Sequence, residues 1–194
     1  MPDDPTIIPT VDEAAAFRKA TRGFMERARA IGADQWSAPT PCTEWNVRAL
    51  VNHVAGEFRW VPEMLAGRTV AEVGDRLDGD LLGDSPVNAL DEARRAAVSA
   101  LEAPGALART VHLSFGDVPA AEYAKQMAID SAIHSWDLAR AVGAEERLDD
   151  ELVEMAYVEL QASAEDWRSA GVFGPQTTPS GDSTQAKLLA LTGR

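Results

Sequence analysis

Histidine is scarce in this 194-residue chain, which has three. One of them stands four residues after an aspartate in "QMAIDSAIHSWDLARA" (126–141). Four residues of α-helix turn through about 40° and rise roughly 6 Å, so Asp130 and His134 point the same way, one turn apart. Met127, Ile133 and Leu138 mark the segment as a buried helix, where an ionised aspartate is costly unless a cation or a hydrogen-bond network compensates it. His53, in "LVNHVAGEF", lies in another apolar helical pattern. In a bundle core it can face the Asp-x-x-x-His pair. Two imidazoles and a carboxylate are a donor set for catalytic zinc, with a position left open for water or substrate. A His–Asp hydrogen-bond cluster without metal is the alternative that the spacing leaves open.

Neighbouring residues extend this picture. Asp137, three beyond His134, can accept a hydrogen bond from an imidazole or pair with Arg140. Glu57, a turn beyond His53, reads first as a solvated side chain and second as an extra ligand or general base. Gly56 either clears space beside His53 or eases helix packing. His112, near Gly116-Asp117, reads as an exposed hairpin residue rather than a ligand. Cys42 precedes the helix of His53 and should lie about 10 Å from it, which argues against ligation and favours a small buried hydrophobe. Trp45, Trp60 and Trp136 flank the three candidates and can wall a pocket or fill a core.

Helices must position these groups. Thr10 and Glu13 form a T-x-x-E capping box ahead of a first helix over about 11–31. After a loop rich in Pro, Thr and Trp, Asn46 caps a second helix that ends at Gly67. The stretch 68–83 reads as a loop with a short helix, and Pro86 signals a third helix over about 85–103. β-Branched and aromatic residues around Gly116-Asp117 fit a short hairpin. A fourth helix, about 119–142, holds the opening motif and stops at Gly143. Asp149 or Asp150 caps a fifth helix, followed by a mainly irregular tail with a final turn of helix. The sum is an all-α single domain over 1–194, a four-helix bundle with C-terminal additions.

Composition narrows the function classes. With 45% hydrophobic and 25% charged residues the chain has the make-up of an ordinary globular protein, and no segment approaches the roughly 18 apolar residues of a membrane span. A formal charge of −13 disfavours phosphate backbones and anionic lipid, so neither nucleic acid nor membrane is expected as a partner. The acidic, proline-bearing start "MPDDPTIIPT" is unlike a secretory signal, and a single cysteine cannot form an internal disulfide. Both fit a cytoplasmic protein.

Three separated stretches, "TPCTEWNVRALVNHVAGE" (40–57), "IHSWDLARAVG" (133–143) and "LLALTGR" (188–194), together resemble the actinobacterial metal-binding branch of the DinB-like proteins. This branch is related to the N-terminal domain of mycothiol-dependent maleylpyruvate isomerase. The resemblance implies a four-helix bundle holding a divalent metal, usually zinc and sometimes nickel, on three side chains near one end. Carried across by motif, these are His53, Asp130 and His134. Where this chain has Asp130 the isomerase has a glutamate, and it also has a further C-terminal domain, so maleylpyruvate does not carry over as the expected substrate. Superfamily members resemble transferases that use a low-molecular-weight thiol, and some form homodimers.

The expected function is therefore a zinc or other divalent-metal protein acting as a mycothiol-dependent transferase or isomerase on a small electrophile. The rival from another class is a non-catalytic metal-binding or ligand-sensing bundle, whose site a fourth protein ligand would close. A hydrolase with Glu57 as base is the third reading.

Overall fold

The structure, a computed structural model, describes residues 12–194. Its first helix, α1 (Glu13–Arg29), buries Phe17, Ala20, Thr21, Phe24, Met25 and Ala28. These recur every three or four residues and form one apolar stripe. Asp12 caps the helix by accepting a hydrogen bond from the Ala15 N–H. The capping box expected at Thr10 lies outside the described residues. The second helix, α2 (Val47–Leu65), is capped by Asn46 as its sequence predicts and turns Val47, Leu50, Val51, Val54 and Phe58 inward.

A four-residue helix, α3 (Val70–Val73), and a 3-10 turn interrupt the following loop. Pro86 then opens α4 (Pro86–Leu101), which buries Leu90, Ala93, Ala97 and Leu101. The hairpin forms as β1 (Thr110–Leu113) and β2 (Gly116–Pro119), antiparallel, with His112 opposite Asp117. The longest helix, α5 (Ala120–Val142), ends at Gly143, whose φ of 71° lies in the left-handed region that favours glycine. α1, α2, α4 and α5 pack as the expected four-helix bundle around one core.

α5 is buried on nearly every side because a second layer covers its other face. Residues 131–139 are all buried. The layer consists of α6 (Asp150–Ser169), capped by Asp149, and α7 (Thr184–Leu191), capped by Ser183. Ile129, Ile133 and Trp136 of α5 join Val153, Leu160, Leu188 and Leu189 in a separate core there. The tail is thus more ordered than its composition suggests: the eight residues of α7 form a packed helix. "TQAKLLAL" is too short to stand alone, and it is burial of Ala186, Leu188, Leu189 and Ala190 against α6 that holds it.

Candidate metal centre beside an apolar pocket

Asp130 and His134 project from the same side of α5, and His53 meets them from α2. His134 Nε2 lies 3.4 Å from Asp130 Oδ1, and His53 Nε2 lies 4.0 Å from the same oxygen. The three donor atoms fall within 4.8 Å of one another. The imidazole rings stand nearly perpendicular, 5.1 Å apart at 79°. Trp45, just ahead of α2, covers both rings at 4.5 Å and 5.8 Å between centroids.

The other nitrogen of His134 fixes its chemistry. Nδ1 is 2.9 Å from Asp137 Oδ2, a carboxylate that can only accept, so Nδ1 donates its proton there. Nε2 then offers a lone pair toward Asp130 Oδ1, another acceptor. A cation, either a proton or a metal ion, must lie between them. The second Asp130 oxygen, Oδ2, is buried with no hydrogen-bond partner. The donor set suits a divalent ion: a tetrahedral zinc site with bonds of about 2.0–2.1 Å sets its ligand atoms roughly 3.4 Å apart, close to the separations present. No fourth imidazole, thiol or carboxylate of the described residues joins the three at this spacing.

Electrostatics reflect the crowding. Burial alone would lower the His134 pKa, but the Asp130 carboxylate and hydrogen bonds to Asp130, Asp137 and Cys42 outweigh it and hold the imidazole well above the usual histidine range. Asp130 is subject to the opposite balance: burial would raise its pKa, yet the two imidazoles hold it well below the usual carboxylate range. Glu57 is pushed up to about 7, first by burial and then by the Asp130 charge. The expectation of a solvated Glu57 is therefore corrected. The helix turn after His53 faces a pocket wall rather than open water, and Glu57 lines that pocket.

Asp137 does not pair with Arg140, which bonds Glu146 instead. Its partner is Arg194, the last residue of the sequence. Arg194 donates from Nε to Asp137 Oδ1 at 2.8 Å and from Nη2 to Oδ2 at 2.7 Å, a two-point clamp on a fully buried carboxylate. Burial raises the Asp137 pKa, but His134 and Arg194 outweigh it and lower it overall. Gly193 makes the approach possible. Its φ is +82°, and a Cβ there would lie 3.0 Å from the Gly174 backbone. Sequence reading missed Arg194 as a functional residue; the signal was its place in "LLALTGR", one of the three family-like stretches.

Cys42 departs from expectation. It is only partly buried, and its Sγ lies 3.3 Å from Asp137 Oδ2 and 3.9 Å from His134 Nδ1. The loop ahead of α2 folds back, with Thr40 bonded to the carbonyls of Cys42 and Trp45, and so brings Cys42 against α5 instead of leaving it along the α2 axis. Cys42, His134 and Asp137 also have ligand-like spacing. The cation there is already supplied, since Arg194 Nη2 stands 3.7 Å from the Cys42 sulfur. Cys42 is not one of the three converging on Asp130.

The remaining candidates sort cleanly. His112 is a partly exposed hairpin residue paired with Asp117 at 2.7 Å. Trp60 lines the pocket, whereas Trp136 packs in the outer core. Gly56 faces Leu81 of the following loop, with which a Cβ would make an ordinary van der Waals contact at 3.4 Å. The pocket beside Asp130 and His134 has a volume of about 520 Å³, in the range that holds a small molecule.

A helical bundle of this order, with a hairpin before its longest helix, is an all-α, DinB-like fold. The family model for the mycothiol maleylpyruvate isomerase N-terminal domain matches residues 17–139, and the chain belongs to that family. Two uncharacterized proteins from strains of Mycobacterium tuberculosis are 32% identical over 166 residues, 86% of this chain and 82% of theirs. The fold resembles the crystal structure of the mycothiol-dependent maleylpyruvate isomerase, with a TM-score of 0.62 and 15% identity over 85% of this chain and 73% of that one. A histidine-to-alanine mutant of the isomerase matches with a TM-score of 0.61 at 14% identity. No helix of the described residues is long and apolar enough to cross a membrane.

Proposed function

We propose that His53, Asp130 and His134 bind a divalent metal ion, zinc first among the candidates, and that the protein is a thiol-dependent transferase or isomerase using mycothiol. The observation that carries the metal reading is the convergence of His53, Asp130 and His134 ligand atoms within 4.8 Å of one another, beside a buried Asp130 Oδ2 that lacks a partner. The thiol reading is supported by the family and by the isomerase whose fold this chain shares.

A divalent ion held there would bind a thiol sulfur and lower its pKa, so that it stands as a thiolate next to an electrophile. The chain's own groups do the rest. Asp137, clamped by Arg194, holds His134 in the tautomer that keeps Nε2 free. Trp45 shields the imidazole faces from water. Glu57, in the same pocket wall as Asp130 and His134, is a carboxylate that can take the proton the thiol gives up. That no fourth imidazole, thiol or carboxylate of the described residues joins the three favours this reading over a closed, purely structural site.

The test is conjugation of mycothiol to a model electrophile, with and without chelator. Turnover that disappears on chelation and returns with zinc is the expected result. A protein that holds metal but shows no metal-dependent turnover would instead be a non-catalytic metal-binding bundle.

A further inference from the structure

We infer that the electrophile taken by this pocket is uncharged and has an apolar body, in contrast to the dicarboxylate maleylpyruvate. The inference rests on the thiol-transfer reading above and adds the class of its second substrate. Four large hydrophobic residues are exposed among the described residues, and three of them, Val70, Phe115 and Val172, line this one pocket. They come from separate segments: α3, the β1–β2 turn and the tail after α6. Phe115 is 63% exposed at the tip of the hairpin, and its ring meets Trp167 of α6 edge to face at 6.4 Å. An apolar rim converging from three segments on a concave site marks a place where apolar surface is covered by a ligand.

Charge decides what that ligand lacks. Acidic side chains in the wall are Glu57, Glu122, Asp130 and Glu159. The cations nearby are already engaged. Lys125 bridges Glu122 and Glu159 at 2.8 Å each. Arg194 has Nε and Nη2 on Asp137 and Nη1 on the Thr192 carbonyl. Among the described lining residues no cationic side chain is left to receive a carboxylate away from His53, Asp130 and His134. A second carboxylate would be desolvated against an acidic wall without a counter-ion.

The test compares two probes of nearly equal shape, 1-naphthaleneacetamide and 1-naphthaleneacetate, by titration calorimetry on the purified full chain with its metal content measured. The amide is expected to bind at least about tenfold more tightly than the carboxylate. Phe115→Ala, a change at an exposed turn, should weaken amide binding while leaving the helical circular dichroism intact. Ser114→Arg, which adds a free cation at the rim, should narrow or reverse the preference. Equal or tighter binding of the carboxylate by the unmodified protein overturns the inference. So does failure of both probes to bind, including the case in which light scattering shows a dimer that Phe115→Ala dissociates, since a second copy would then cover the rim. Chelator-sensitive mycothiol transfer is assayed on the same preparation. Its loss with the amide preference intact removes the reaction but leaves the ligand class, and the reverse removes this inference alone.

Discussion

His134 is held from both sides: Asp137 fixes one ring nitrogen, and Asp130 faces the other. Partners that orient a ligating imidazole typically change metal affinity by about 10–100-fold when removed. Asp137→Asn and Arg194→Gln should therefore each weaken zinc binding by about that factor, measured by competition with a chromophoric chelator, while His112→Ala leaves it unchanged. Glu57 yields a pH prediction. Its pKa is raised from 4.5 to about 7 in the folded state, so the stability that its neutral form contributes is complete below about 4.5 and is lost as pH rises through about 7. In metal-free protein this loss amounts to at most about 3 kcal/mol. Denaturant midpoints should fall between pH 5 and 8, and Glu57→Gln should flatten that fall. A cation bound at Asp130 opposes the shift, so zinc should also flatten it.

At the scale of elements, the return of the chain after α7 matters most. Gly193→Ala forces a side chain into the left-handed region at a cost of about 1–2 kcal/mol and drives a Cβ against Gly174, displacing Arg194 from Asp137. The variant should lose about as much zinc affinity as Arg194→Gln and also melt earlier, which separates it from the point change at the arginine. The helices themselves were legible in the sequence. Their apolar residues recur every three or four positions, Asn46 and Asp149 cap where short polar side chains precede apolar runs, and Gly143 ends α5. The tail was not legible in the same way. Its order comes from packing on α6, a tertiary effect that local composition does not record, and Arg194 was missed along with it.

For the molecule as a whole, the bundle supplies His53 on α2 and the Asp130–His134 pair on α5, while α6 and the segment after it supply the pocket's outer wall and Arg194, following α7, supplies the clamp on Asp137. One-turn spacing was enough to pair Asp130 with His134 from sequence alone. The approach of His53 to Asp130, 77 residues further along the chain, depends on how two separate helices pack, and the family-like stretches pointed to it where periodicity could not. Glu57 was misjudged, and the contacts of Cys42 with Asp137 and His134 were not foreseen, because distance along a helix axis ignores loops that fold back and layers that cover a face. The most direct measurement of the central claim is zinc content by mass spectrometry of the purified chain and of His53→Ala, Asp130→Ala and His134→Ala. The structure predicts about one equivalent in the parent and loss of most of it in each variant. Full metal retention by the His53→Ala and His134→Ala proteins would contradict the claim.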